Sequence, residues 1–371
     1  MTQTLLKHSL DRAAIDRIGR ALAACSPEFC RDRFTADSLD GLAALGLKQR
    51  VQHIIDALHQ QLPADFAAAA TLLHQLPDHW DDGDPADSNR AMAAWPLIDY
   101  AAVHGLDQPA IALPLLARLT PLFTAEYAIR PFLQQHFALS YRHIEHWCHH
   151  PDAHVRRLAS EGLRPRLPWG EQLLALRDDP APIWPVIGQL LDDDSLYVRK
   201  SVANNLNDIS KDHPALLLQH CRHWLQQDSN PRRRWIVRHG LRSLVKQGQR
   251  EALALLGFAG AVDTLQLQFL LDTTQAAIGD DLLLQLQLAN HGDDTLALAI
   301  DYIQHYPTAS GRRSRKVFKL KTLQLAAGAS TRLEKRHRLR TLSTRRLLPG
   351  THCIELMVNG RILASQTFVL A

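Results

Sequence analysis

One segment of this chain recurs with a changed polar residue, and that recurrence limits the fold more than anything else in the sequence. It first reads Asp152-Ala-His-Val-Arg-Arg-Leu-Ala-Ser-Glu-Gly-Leu-Arg-Pro-Arg-Leu-Pro-Trp169 and returns as Asp194-Ser-Leu-Tyr-Val-Arg-Lys-Ser-Val-Ala-Asn-Asn-Leu-Asn-Asp208. Val155 matches Val198 and Leu163 matches Leu206, 43 residues on. A weaker copy follows at Arg232–Leu244, where Leu241 continues the series after another 35 residues. A period of this length on an amphipathic helical segment is the mark of stacked helix pairs of the HEAT type, in which each unit buries its apolar stripe only against its neighbours. Polar residues inside the repeat then stand out. Glu161 occupies the position held by Asn204 and His239 in the other copies, and Arg156, Arg157, Arg164 and Arg166 lie around it in sequence. A carboxylate ringed by guanidiniums suggests a polyanion-binding surface with a reaction centre in it.

The 371 residues are enough for two domains. Five scattered cysteines without Cys-x-x-Cys spacing argue for reduced thiols in the cytoplasm. Residues 1–8 lack the order of a signal peptide, and no stretch is apolar for long enough to span a membrane. The net charge of +4 is uneven: residues 1–125 carry −5, residues 126–263 carry +3 and residues 264–371 carry +6. That suits a localised anion-binding face better than a uniformly basic coat.

Apolar residues recur at helical spacing through residues 1–60, and helices are expected again over 95–103, 110–119 and 125–137 before the repeats. Pro151, Pro180, Pro182, Pro185, Pro214 and Pro231 fall between helical segments. Near residues 257–264 the period changes to two: residues 282–289, 317–325 and 353–358 alternate apolar and polar. Turn signals separate them, and Asn359-Gly360 between two strands is a strong hairpin signal. The expected fold is therefore multidomain: an all-α HEAT-like solenoid over residues 1–260, then an all-β immunoglobulin-like sandwich of some seven short strands over 264–371.

Four groups could carry chemistry. Thr124 is placed to cap a helix with Glu126 in its first turn, where a carboxylate is favoured by the dipole alone; Arg130, four residues on, has intrahelical ion-pair spacing. Glu161 falls just before Pro165 and Pro168, hence near a helix C-terminus, where a carboxylate is disfavoured unless cations such as Arg157 and Arg164 surround it. A Trp after a proline break, like Trp169, is more often a buried plug between helices; the alternative is an aromatic face suited to a planar cation. Asn204, Asn205, Asn207 and Asp208 are more polar groups than one helix cap requires, although capping is the simple reading of Asp208. The cluster His143, His146, Cys148, His149 and His150 lacks the spacing of a zinc motif, so no metal is expected, and there is no phosphate-cradling glycine loop.

The strings Thr124–Leu133, His154–Trp169 and Val198–Pro214 resemble the AlkC branch of the HEAT-like alkylpurine DNA glycosylases over roughly residues 1–260, and Thr344–Gly350 resembles members that carry an immunoglobulin-like extension. The resemblance implies a monofunctional glycosylase, without cofactor, acting on cationic bases such as 3-methyladenine and 3-methylcytosine in duplex DNA, and working without a conventional base-flipping pocket. It places catalytic carboxylates at Glu126, Glu161 and Asp208 and sets Trp169 beside the lesion. A carboxylate can stabilise the oxocarbenium-like state of glycosidic cleavage and orient water, and a cationic base needs little leaving-group protonation. Phosphate contacts are expected from Arg157, Arg164, Arg166, Arg199, Lys200, Lys211, Arg234, Arg238 and Arg242, and from Arg345 and Arg346 in the sandwich. The protein is expected to act as a monomer in the bacterial cytosol or nucleoid. The competing reading is a non-catalytic HEAT scaffold that binds nucleic acid or protein.

Overall fold

The two Val-Arg repeats are built the same way, down to one arginine. In each copy the residue after the valine reaches back to the loop before its own helix. Arg156 Nη1 donates to the carbonyls of His150 and Pro151, both at 2.8 Å. Forty-three residues on, Arg199 Nη1 donates to the carbonyls of Asp193 (2.6 Å) and Asp194 (2.9 Å). These carbonyls precede a helix start and have no ladder partner, so the guanidinium satisfies groups that would otherwise need water. Arg156 also makes a two-pronged ion pair with Asp193, at 2.7 and 3.1 Å, which ties one repeat to the next.

The computed structural model describes residues 6–260, 262–308, 311–341 and 346–371. Its helices are α1 (Arg12–Cys25), α2 (Arg31–Leu39), α3 (Leu47–His59), α4 (Phe66–Gln75), α5 (Trp95–His104), α6 (Pro109–Leu119), α7 (Ile129–Gln135), α8 (Phe137–Trp147), α9 (Ala153–Gly162), α10 (Leu174–Asp178), α11 (Ile183–Leu190), α12 (Leu196–Ile209), α13 (Pro214–Gln227), α14 (Pro231–Gly240), α15 (Arg242–Lys246) and α16 (Arg250–Leu255). None is long and apolar enough to cross a membrane. Residues 1–212 and 230–236 form one unit; residues 213–229 and 237–371 form the other, so α13, α15 and α16 group with the strands.

Local chemistry explains the starts. The carboxylate of Asp11 accepts from Ala14 N–H, that of Asp65 from Ala68 N–H and that of Asp152 from His154 N–H. Pro109, Pro214 and Pro231 open α6, α13 and α14, where a missing N–H costs nothing. Pro185, expected between helices, lies inside the first turn of α11 for the same reason. The expected continuous helix over 125–137 is instead a turn followed by α7 and α8. Ser195 stands at the N-cap of α12, without a side-chain hydrogen bond to the first turn. Within the first unit, α9 packs on α12, and Val155, Leu158 and Ala159 of α9 and Val198, Val202 and Leu206 of α12 are all buried.

The second unit carries eight strands among the described residues: β1 (Leu265–Leu271), β2 (Gln275–Ala276), β3 (Asp281–Asn290), β4 (Leu296–Pro307), β5 (Arg313–Leu325), β6 (Ser330–Arg338), β7 (Gly350–Val358) and β8 (Arg361–Leu370). They form two sheets, ordered β1-β3-β6 and β2-β8-β7-β4-β5. Alternation puts Leu282, Leu284, Leu286 and Leu288 of β3 inside with Ile300, Tyr302, Ile354, Leu356 and Phe368. The expected strands are present, several longer than expected. Asn359 and Gly360 have φ of 45° and 78° and turn β7 into β8 with a two-residue loop, the conformation for which Asn-Gly is favoured. A Cβ on Gly360 would come within 2.5 Å of the Gly248 carbonyl, so glycine is required there by a close backbone approach as well.

Candidate active site

Glu126, Glu161 and Asp208, 82 residues apart at the extremes, are brought into one chain of alternating charges. Glu126 lies in the turn before α7, Glu161 in the last turn of α9 and Asp208 in the last turn of α12. Arg157 and Arg164, one turn before and just after Glu161, join them. Arg157 Nη2 is 2.7 Å from Glu126 Oε2 and 3.6 Å from Glu161 Oε1. Arg164 reaches Glu161 Oε1 at 2.6 Å with Nη1 and Asp208 Oδ2 at 2.8 Å with Nε. Lys211 Nζ closes the chain on Asp208 Oδ1 at 3.0 Å. The three carboxylates are 2–8% exposed, so desolvation would be costly were they not paired.

Three expectations about this region are corrected. Thr124 does not cap a helix holding Glu126; its hydroxyl donates to the Glu126 carboxylate at 2.7 Å and accepts from Arg157 at 2.8 Å. Arg130 does not pair with Glu126. It is 1% exposed, and its guanidinium donates to the backbone carbonyls of Gly162, Arg164 and Glu171. These are the orphan carbonyls of the α9 C-terminus and the loop after it, so Arg130 braces the segment from Glu161 to Trp169. Burial, with the charge of Arg164, lowers its pKa to about 10. Asp208 is not a cap either, since its carboxylate is fully used by Arg164 and Lys211. The amide-rich run has another use: buried Asn205 donates to the Ser160 carbonyl at 2.9 Å, locking α12 to α9 beside Glu161.

One oxygen of the network is left over. Glu161 Oε2 is shielded from solvent and has no hydrogen-bond partner among the described residues. Burial opposes the charge of Arg164, but Glu161 and Asp208 outweigh it and raise its pKa; Glu161 and Glu126 do the same for Arg157. Sequence reasoning missed two tyrosines. Tyr197 lies under the Arg157 guanidinium, 4.8 Å from its ring centre. The Tyr127 hydroxyl is pushed up by burial and then by neighbouring Glu126. Tyr127 directly follows Glu126 and Tyr197 precedes the repeat valine, so adjacency to those motifs was the available signal.

Trp169 reverses the burial expectation. It is 61% exposed, and it has φ of 65°, a left-handed conformation that costs a bulky residue roughly 1–2 kcal/mol. Its carbonyl accepts from Lys48 Nζ at 2.8 Å. The expected phosphate contacts divide in two. Arg157 and Arg164 face inward onto carboxylates, and Arg199 clamps its own loop. Arg166 is half-buried and paired with Asp212 at 2.6–2.7 Å, and Arg242 is half-buried with a bond to the His239 carbonyl. Lys200, Lys211, Arg234, Arg238 and Arg346 are exposed. Arg345 and Thr344 lie outside the described residues.

The DNA alkylation repair enzyme family matches residues 123–244, and the family described as the C-terminal Ig-like domain of uncharacterised protein YhaZ matches residues 266–371. YhaZ of Bacillus subtilis (strain 168) is 33% identical over 98% of this chain and 98% of its own length. The Pseudomonas fluorescens alkylpurine DNA glycosylase AlkC, solved bound to DNA containing an abasic site analog, is 34% identical, covers 99% of each chain and superposes with a TM-score of 0.92. By its buried carboxylate network, its helical repeats followed by an immunoglobulin-like domain and these end-to-end relatives, the chain belongs to the AlkC-type DNA alkylation repair enzymes.

Proposed function

We propose that this protein is a monofunctional DNA glycosylase that hydrolyses the N-glycosidic bond of cationic alkylated bases, 3-methyladenine and 3-methylcytosine, in duplex DNA. The observation that carries the reading is the unbonded, buried Glu161 Oε2 within a network whose every other catalytic-candidate oxygen named above is held by a cation. A buried acceptor without a partner is costly, so its retention calls for a guest that arrives with substrate. In the proposed reaction the C1′–N bond breaks and its electron pair neutralises the base. Water adds its oxygen to C1′ and gives its proton to the carboxylate. Glu126, Glu161 and Asp208 stabilise the positive sugar and orient that water; Arg157 and Arg164 hold the carboxylates in place. Trp169, strained and exposed, faces the lesion.

The exposed Lys200, Lys211, Arg234 and Arg238, with partly engaged Arg166 and Arg242, are proposed phosphate contacts. Residues 1–260 would form the glycosylase domain and 264–371 a second DNA-contacting domain. The relative's complex with DNA containing an abasic site analog supports DNA as the partner. The test is to incubate the protein with methylated duplex, treat it with alkali and map breaks at adenine and cytosine. Breaks that need alkali and vanish with Glu161→Gln are expected. Breaks without alkali would refute the monofunctional reading, and no breaks at all would leave the scaffold reading.

A further inference from the structure

Beside the carboxylate network lies a cavity of about 240 Å³ that shares Trp169 with the proposed lesion site and otherwise has no part in the reaction above. Its walls include Trp95, Tyr127 and Trp169, with Val51, Ile55 and Val103. Trp95 stacks on Tyr127 with ring centres 5.3 Å apart, and Trp95 itself is buried. At roughly 30 Å³ per water the cavity holds about eight, room for a ring system and too little for a drug-sized ligand. One acidic group faces it from α5. Asp99 Oδ2 accepts from Trp95 Nε1 at 2.7 Å, whereas Oδ1 is shielded from solvent with no hydrogen-bond partner among the described residues. The cations of the lining are committed: Arg130 to three backbone carbonyls, Lys48 to the Trp169 carbonyl. The aromatic faces and the bare Asp99 oxygen together recognise a flat cation with an N–H to donate.

We infer that this cavity binds a planar basic heterocycle in its protonated form and, resting on the glycosylase reading, that its ligand is the alkylated base after its release. That base leaves the sugar neutral and takes a proton from the Asp99 carboxyl as it enters. Tyr127 is the geometric link. It follows Glu126 in sequence, so a base cut beside Glu126 leaves next to the cavity wall. A nucleotide still joined to DNA need not enter. Burial lifts Asp99 to about 7, so the empty cavity holds its carboxyl near half-protonated at neutrality, and a cationic donor would favour the charged form. Glu171, also in the lining, adds a second negative charge at the cavity.

Calorimetric titration of the full-length protein with free 3-methylcytosine and 3-methyladenine, without DNA, tests this. Saturable binding is expected, with cytosine and adenine bound about tenfold or more weakly. Glu161→Gln should bind the free bases like wild type. Asp99→Asn, which keeps an acceptor for Trp95, should weaken binding by about tenfold to a hundredfold, the loss of one charge-assisted hydrogen bond. If Asp99→Asn melts early, Val103→Trp at the partly exposed rim fills the cavity instead, and the same loss is expected. No saturable binding to wild type, or wild-type binding by a folded Asp99→Asn or Val103→Trp variant, overturns the inference. Excision by wild type is read separately: excision without base binding sinks the cavity alone, and base binding without excision sinks the glycosylase reading while the cavity stands as a site for planar cations.

Discussion

The helical unit and the sandwich treat charge in opposite ways. Around Glu161 the protein buries three carboxylates and offsets each with a guanidinium or ammonium within hydrogen-bond distance. The sandwich buries few charges, and a titratable ring in its core is kept neutral. His337, packed on Phe318 and bonded to the Tyr302 hydroxyl at 3.0 Å, has its pKa lowered to about 4 by burial first and Lys316 next. Most of the basic residues of the sandwich sit outside, on β5 and β6, edge strands of the two sheets. A buried ion network is expensive and adds little net stability compared with apolar packing. Its presence at the junction of two repeats therefore points to a use other than folding. Exposed cations on strand edges cost almost nothing and protect the edges from pairing, and the same position leaves them open to a polyanion.

The largest effect should come from removing one member of the buried network. Arg164→Ala strands Glu161 and Asp208 without their shared cation, and a loss of about 3–5 kcal/mol is expected in urea unfolding. Arg336→Glu on β6 should change stability by no more than about 0.5 kcal/mol. Similar losses for the two variants would erase the contrast. Next come Glu161→Gln and Asp208→Asn, which keep the shape but remove the charge. Each should lower single-turnover excision by about 10²–10³-fold with DNA binding nearly intact. Rates within about threefold of wild type for both would refute their catalytic assignment.

Much of this was legible in the sequence, for physical reasons that also mark its limit. The 43-residue repeat gave α9 and α12, because buried valines and leucines must recur when units stack. Period-two alternation gave β3, β5 and β7, and Asn359-Gly360 gave the hairpin. The resemblance gathered Glu126, Glu161 and Asp208, which spacing alone could not do across a turn and two helices. Several failures are side-chain choices among partners close in space but distant in sequence. Arg130 had a carboxylate four residues away and took carbonyls from another helix end instead. Arg156 and Arg199 looked like surface cations of a repeat and are loop clamps. Asp99 carried a signal that went unread: a lone carboxylate in the apolar run Trp95-Pro-Leu-Ile-Asp-Tyr-Ala-Ala102, four residues after a Trp whose N–H needs an acceptor.

Acid should sharpen the contrast. The folded state holds His337 neutral down to about pH 4, whereas the unfolded chain protonates it near 6.5. The unfolded state therefore binds more protons in that window, so the contribution of His337 is fully present above about 6.5 and is lost as pH falls towards 4. The total is roughly 3 kcal/mol from a shift of this size. His337→Phe should flatten the pH dependence of unfolding there, and an unchanged profile would remove His337 from the account. A smaller effect is expected at the sandwich surface. Reversing Lys335, Arg336 and Arg346 to Glu, rather than deleting strands from a unit that includes α13, α15 and α16, should weaken DNA binding. For every phosphate that these cations neutralise, the variant's slope of log affinity against log salt should be shallower by about 0.9. An unchanged slope would leave edge protection as their whole role.

The smallest stability effect has an unusual sign. Trp169 is exposed, so truncating it removes little packing, in contrast to a core Trp, whose loss costs about 3–5 kcal/mol. Its left-handed backbone is unfavourable for any side chain with a Cβ and natural for glycine. Trp169→Gly therefore trades two small opposing terms: relief of local strain, about 1–2 kcal/mol, against greater freedom of the unfolded chain, about 0.5–1 kcal/mol. Thermal unfolding should be unchanged or slightly raised, while excision falls because the aromatic face is gone. Trp169→Ala keeps the strain and should melt a little below Trp169→Gly with the same loss of excision. A large drop in melting temperature for both would mean that Trp169 supports the fold. Full excision by both would mean that the strained, exposed ring is not held there for the lesion.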